Sequence, residues 1–246
     1  MEELQGKVAL VTGGSRGIGA AIAVRLAQQG ADVAFTYRSA TEQAGTVIGR
    51  IEEAGGRGLA IAADSADPAA VIGAVTRAAD ELGRLDILVN NAGIYPHGPL
   101  EEVSVAEVDH ALAVHVRAVF LASQAAADRM DEGGRIISIG SCFAERVPYA
   151  GLSLYAMTKA ALLGLTKGLA RDLGPRGITA TVVHPGNTDT DMNPADGPDA
   201  SDEHPFIALG RYGQPDDIAA MVAHLAGTCG RYITGTAIAV DGGYTA

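Results

Sequence analysis

Cysteine is scarce: two among 246 residues, Cys142 and Cys229, far apart and without metal-ligand spacing. That excludes a disulfide framework and points to a reducing compartment. The six histidines, His97, His110, His115, His184, His204 and His224, form no HxxxH or HExxH pair, so no metal site is expected. Positive charge is also in short supply. Eighteen Lys plus Arg face 29 Asp plus Glu, a net charge of −11 that repels polyanions and makes nucleic acid a poor partner. No apolar run approaches the roughly 18 residues of a membrane-spanning helix. Glu2 and Glu3 stand where a signal peptide would carry basic residues, so a cytoplasmic protein is expected.

What is present is an ample apolar fraction, 48%, together with 32 glycines. Short β-branched runs alternate with Ala-rich stretches from end to end, the pattern of a parallel sheet covered on both faces. It predicts seven strands, Lys7–Thr12, Asp32–Tyr37, Gly58–Ala62, Asp86–Asn90, Arg135–Ile139, Thr179–His184 and Ala237–Val240. Helices are expected near Gly17–Gln29, Thr41–Ala54, Pro68–Leu82, Ser104–Met130, Tyr155–Leu173 and Pro215–Leu225. The fold class is therefore α/β, one doubly wound domain over residues 1–246. One stretch breaks the rhythm. Asn187 to His204 is rich in Pro, Gly, Asn and Asp, and its acids Asp189, Asp191, Asp196, Asp199, Asp202 and Glu203 are interrupted by no Lys or Arg. It reads either as a solvated excursion or as a substrate lid, near residues 187–210.

The first strand runs through Thr12-Gly13-Gly14-Ser15-Arg16-Gly17-Ile18-Gly19 straight into a helix with Ile18, Ile22 and Leu26 on one face. Glycines at such a turn let the backbone approach a diphosphate, whose charge meets the amides of the helix N-terminus. Gly13, Ser15, Arg16, Gly17, Ile18 and Gly19 are the expected dinucleotide loop. About 20 residues further on, where an NAD site offers Asp or Glu to the ribose, stands Tyr37-Arg38-Ser39. No acid is there. Arg38, with Arg16, suits a 2′-phosphate, since guanidinium matches phosphate geometry. NADP(H) is the expected cofactor in preference to NAD(H).

Tyr155 and Lys159 lie four apart at the start of a helix, which puts phenol and ammonium on one face. A phenol is a poor acid or base at neutral pH until a cation lowers its pKa, and Lys159 is placed to do so. Ser141 stands where the fifth strand runs out, at the edge where open α/β sheets build their sites, and can hold a substrate oxygen. Tyr149 and Ser138 lack this context: Tyr149 is followed four residues on by Ser153, and Ser138 lies inside the strand. Cys142, Phe143, Tyr149, Met192 and Phe206 are candidate pocket walls. Gly13-x-Ser15-x-Gly17 also matches a hydrolase nucleophile elbow, with His204 or His224 as nominal partner. On the first strand, however, no earlier strand–helix loop supplies the second oxyanion donor.

Together these motifs resemble the short-chain dehydrogenase/reductase family over the whole length, particularly the subgroup of 3-oxoacyl-carrier-protein reductases. Further matches are Asn90-Asn91-Ala92-Gly93 after the fourth strand, Pro185-Gly186 leading to Thr190 after the sixth, and Asp241-Gly242-Gly243 near the end. The resemblance implies a Rossmann fold in which Asp64 and Ser65 lie by the adenine, Asn90 by the adenosine ribose, and Thr188 and Thr190 by the nicotinamide amide and phosphates. Ala92, Gly93, Pro185 and Gly186 border the same cofactor. It further implies Tyr155 as general acid/base, Lys159 on the nicotinamide ribose, Ser141 orienting the reacting oxygen, and a homotetramer.

Two departures stand out. Relatives commonly place Asn in the helix after the fourth strand, supporting a water that relays protons to the lysine, whereas Val114-His115-Val116 occupies that stretch. His115 either passes protons itself or fills space. Carrier-protein reductases also present basic residues at the turn before the fifth strand, which here reads Asp131-Glu132-Gly133-Gly134, leaving Arg176 alone at the second position. With the acidic segment, this disfavours an acidic carrier protein and favours a small neutral ketone or alcohol. The expected activity is NADP(H)-dependent ketone reduction or its reverse. The alternatives are a catalytically weak nucleotide-binding sensor and, remotely, a serine hydrolase.

Overall fold

Strand residues alternate between two faces, and both faces of these strands are apolar, so each must be covered. On the first strand Ala9 and Val11 enter one core with Phe35, Ile22, Leu26 and Val222, while Val8 and Leu10 enter the other with Leu88, Val75, Ala78 and Ile136. The computed structural model describes residues 3–198 and 200–246, so Met1, Glu2 and the acidic Asp199 lie outside the described residues. Its strands are β1 (Val8–Val11), β2 (Asp32–Tyr37), β3 (Gly58–Ala62), β4 (Ile87–Asn90), β5 (Arg135–Ile139), β6 (Thr179–Pro185) and β7 (Thr236–Val240). They form one parallel sheet in the order β3-β2-β1-β4-β5-β6-β7. The strand order reverses between β1 and β4, and open α/β sheets form a binding crevice at such a point.

The helices are α1 (Gly17–Gln28), α2 (Thr41–Glu53), α3 (Pro68–Leu82), α4 (Val105–Leu112), α5 (Ala118–Ala127), α6 (Ser153–Leu173), α7 (Ala200–Glu203) and α8 (Pro215–Ala226). Local chemistry explains several boundaries. Asp67 accepts from the Ala69 N–H at 2.8 Å with Pro68 in the first turn, and α3 closes on Gly83 in the left-handed region, φ 92°. Ser104 and Glu107 cap α4 reciprocally, Ser104 N–H donating to Glu107 Oε2 at 2.8 Å and Glu107 N–H to Ser104 Oγ at 3.2 Å. Among the described residues no helix is long and apolar enough to cross a membrane.

Two expectations require correction. The helix predicted over Ser104–Met130 is not continuous: a π turn at Ala113–Arg117 separates α4 from α5. The inserted turn leaves His115 buried, where its ring bonds residues of two other segments; apolar periodicity runs through the insertion and conceals it. The segment after Asn187 is not purely loop either, since it contains α7 and a 3₁₀ turn at His204–Phe206. The remaining boundaries agree within one or two residues.

Candidate active site

The cofactor half of the site begins where β1 ends. Gly13 has φ +66°, and a Cβ there would lie 2.9 Å from Ala92 Cα, so the β1 and β4 loops approach only because no side chain intervenes. The turn is pinned from both neighbouring strands. Gly13 N–H donates to Thr36 Oγ1 at 2.9 Å, and the Asn91 amide donates to the carbonyls of Thr12 and Gly13, each at 3.0 Å. Thr12 Oγ1 in return accepts the N–H groups of Asn91 and Ala92. No side chain caps the α1 N-terminus, so its first amides face outward. Arg16 is exposed, with Asp191 at 4.0 Å, and Arg38 is exposed without an ion-pair partner among the described residues. A bent glycine turn, uncapped amides and a free guanidinium fit a phosphorylated dinucleotide.

A single groove of about 1550 Å³ runs from this loop across the carboxyl edge of the sheet. It is lined by Gly13, Ser15, Arg16, Gly17, Ile18, Gly19, Tyr37, Arg38, Ser39, Asp64, Ser65, Ala92, Gly93, Pro185, Gly186, Thr188 and Thr190, and at its other end by Ser141, Tyr155 and Lys159. The expected pocket walls Cys142, Phe143, Tyr149, Met192 and Phe206 line it too. Asn90 does not. Its amide is turned into the sheet, donating to Ser123 Oγ at 3.2 Å and Ser138 Oγ at 3.5 Å, because the alternation along β4 sends residue 90 inward and its neighbour Asn91 to the groove.

Residues far apart in the chain meet at the chemical end. Lys159 is buried, its ammonium donating to the Ile139 carbonyl at 3.0 Å and lying 5.7 Å from the Tyr155 ring centroid. Burial lowers its pKa to about 8. The Tyr155 phenol is pushed up by burial, with the Ser141 hydrogen bond acting in the opposite direction. The ammonium is directed at a backbone carbonyl, and Tyr155 is held protonated. Ser141 Oγ accepts from Phe143 N–H at 3.2 Å, and the Ser141 N–H donates to His184 Nδ1 at 3.0 Å.

His115 Nε2 accepts the Ile94 N–H at 3.0 Å. Its Nδ1 must then carry the proton, donating at 2.8 Å to Thr158 Oγ1, which donates to the Tyr155 carbonyl at 2.8 Å. Burial, aided by the Lys159 charge, lowers its pKa to about 3, so the ring stays neutral. Nε2 holds the Ile94 backbone and Nδ1 the Thr158 hydroxyl, so both ring nitrogens have partners other than Lys159. Among the described residues neither His204 nor His224 hydrogen-bonds Ser15, and His204 Nδ1 instead lies 3.3 Å from the Gly210 carbonyl, against the hydrolase arrangement.

Around Tyr155 the walls are aromatic, with Tyr95 at 5.0 Å and Phe143 at 6.2 Å between ring centroids. Beyond them lies a buried carboxylate that sequence reasoning left among surface acids. Glu203 accepts from Tyr149 OH at 2.5 Å, Asn187 Nδ2 at 2.8 Å and Tyr244 OH at 3.0 Å. Arg176, expected as a remnant of a basic patch, is occupied at the end of α5, donating to the Ala127 and Met130 carbonyls at 2.7 Å each. Asn91, His184 and Glu203 were not assigned from sequence. Asn91 had a signal in its repeated-Asn motif; the other two had none.

Known proteins bear on this geometry. A family model described as enoyl-(acyl carrier protein) reductase matches residues 13–245. The chain belongs to the short-chain dehydrogenase/reductase family. Among solved structures it is similar to a short-chain dehydrogenase from Burkholderia cenocepacia J2315 in complex with NADP, at 60% identity and TM-score 0.98, covering 99% of this chain and 100% of that one. A 3-oxoacyl-[acyl-carrier-protein] reductase from Staphylococcus aureus is 40% identical over 96% of this chain and 97% of its own. The cyclic-di-GMP-binding biofilm dispersal mediator protein of Escherichia coli K12 is 45% identical over the full length of both chains. As a family member, this oxidoreductase carries its serine, tyrosine and lysine in one groove with its glycine loop.

Proposed function

We propose that the protein reduces a small neutral ketone to a secondary alcohol, or runs the reverse reaction, with NADP(H). The observation that carries this reading is the convergence of Ser141, Tyr155 and Lys159 at one end of the groove whose other end is the glycine loop. Arg38 and Arg16 are assigned to the 2′-phosphate, Asp64 and Ser65 to the adenine, and Thr188, Thr190 and Lys159 to the nicotinamide end. Bound NADPH supplies a hydride to the carbonyl carbon. Ser141 and Tyr155 donate hydrogen bonds to the carbonyl oxygen, and Tyr155, held protonated by its surroundings, gives up its proton to the developing alkoxide. Lys159, the buried cation nearest the ring, stabilises the phenolate left behind.

The residues are assigned to one domain over 1–246, with residues 187–210 as a substrate lid that Glu203 ties to Tyr149 and Tyr244. Aromatic walls and the acids Glu101, Asp202 and Glu203 lining the groove favour uncharged substrates over anionic thioesters. A homotetramer is the proposed assembly. The test is NADPH consumption with a panel of ketones: turnover is expected for the native protein, and its absence in Tyr155→Phe with NADPH binding retained. Full activity in that variant would remove Tyr155 as proton donor.

A second reading, a nucleotide-binding sensor with little catalysis, is motivated by His115, whose ring nitrogens are both engaged where relatives support a proton relay. The similarity to a cyclic-di-GMP-binding protein also supports it. Tight NADPH binding without consumption across a broad panel would favour this reading.

A further inference from the structure

His184 is buried on β6, one strand over from Ser141, and the mechanism above does not use it. Its Nδ1 accepts the backbone N–H of Ser141 at 3.0 Å. The ring proton therefore sits on Nε2, which is buried, has no hydrogen-bond partner and faces Glu145 Oε1 at 3.8 Å. The ring fits against β5 only because residue 140 is glycine, since a Cβ there would collide with His184 Nδ1. β5 ends at Ile139, whose carbonyl holds Lys159, and the Gly140 N–H still donates to the Val183 carbonyl at 2.7 Å, so Ser141 is the first residue whose N–H lies beyond the sheet's pairing. The Ser141 N–H would otherwise be a buried donor without a partner, while the serine's Oγ and carbonyl are held separately by the N–H groups of Phe143 and Ala144.

We propose that His184 is a positioning residue for the reaction. As a neutral imidazole it fixes the Ser141 backbone and thereby the hydroxyl that orients the substrate oxygen, and gain of a proton at Nδ1 releases it. The inference rests on Ser141 having that orienting role. A protonated ring presents an N–H to the Ser141 N–H, replacing an attraction with a repulsion. Burial and the Lys159 charge favour the neutral form, while Glu145 and Asp241 oppose them; the net effect holds the ring below its ordinary range. The acid limb in the activity profile accordingly lies on the acid side of ordinary imidazole titration.

The test compares His184→Asn, whose side-chain oxygen can replace Nδ1 as acceptor, with His184→Leu, which fills similar space without one. The Leu variant is expected to lose about tenfold in kcat, on the scale of one hydrogen bond at the reacting group, with NADPH affinity unchanged. The Asn variant is expected to keep kcat within about twofold and to lack the acid limb. Gly140→Ala, which displaces the ring, should reproduce the Leu loss. Native kcat in the Leu variant, or an acid limb unchanged in the Asn variant, would overturn the proposal; the second measurement decides if the Leu variant does not fold. Ser141→Ala separates the two layers. Full activity there removes the orienting role itself, whereas an inactive Ser141→Ala beside a fully active His184→Leu removes only the role of His184.

Discussion

Lys159 carries the site's main electrostatic tension. Its ammonium is buried with one carbonyl acceptor, which lowers its pKa to about 8, so the cation persists below that pH and is lost above it. In the proposed mechanism this charge stabilises the phenolate formed on proton transfer, so kcat for ketone reduction should be level at neutral pH and fall as pH rises through about 8. A stopped-flow profile of NADPH oxidation checks this, and a profile still level well above that pH would remove Lys159 from the step. At the far end of the groove, Arg38 has no ion-pair partner among the described residues, leaving its charge available to phosphate. Arg38→Asp should weaken NADPH by at least about tenfold while leaving NADH nearly unchanged, as the loss of one charge-assisted phosphate contact requires. Fluorescence titration with both nucleotides measures the ratio, and equal losses would contradict the 2′-phosphate assignment.

Among the elements, the α4–π–α5 unit links stability to the site. Its first helix is held by the Ser104–Glu107 capping box and its π turn delivers His115 to Ile94 and Thr158. Ser104→Ala should destabilise the protein by about 1 kcal/mol, the usual effect of losing such a cap, without a change in kcat. Urea denaturation followed by an activity assay separates the two quantities. The cap was legible in the sequence, as Ser followed three residues later by Glu. The π turn was not, because an inserted residue leaves the apolar pattern of the flanking helices intact and is stabilised by partners on other segments. Asn90 and Asn91 teach a related lesson: the motif was visible, but which amide faces the groove depends on the phase of β4 against its neighbours, set by pairing with β1 and β5.

At the scale of the whole molecule, the order of strands brings Gly13, Asn91, Ser141 and Thr188 to one edge of the sheet, and the crevice exists because connections diverge between β1 and β4. The deficit of positive charge agrees with a groove whose cations, Arg16, Arg38 and Lys159, stand at the glycine loop or beside Tyr155, while Asp191, Asp202 and Glu203 line it along the segment after Asn187. From the amino-acid order alone came the parallel sheet, the dinucleotide loop, the cofactor preference and the Tyr155–Lys159 pair, since each rests on local spacing, composition or a single element's periodicity. Only the tertiary structure decided that the lysine is turned to the Ile139 carbonyl, that both nitrogens of His115 are taken, that Glu203 is buried against Tyr149, Asn187 and Tyr244 and that the His184 ring accepts the Ser141 N–H. Those outcomes are hydrogen bonds and desolvation between segments distant in the chain, and their energies depend on which partners packing brings within about 3 Å.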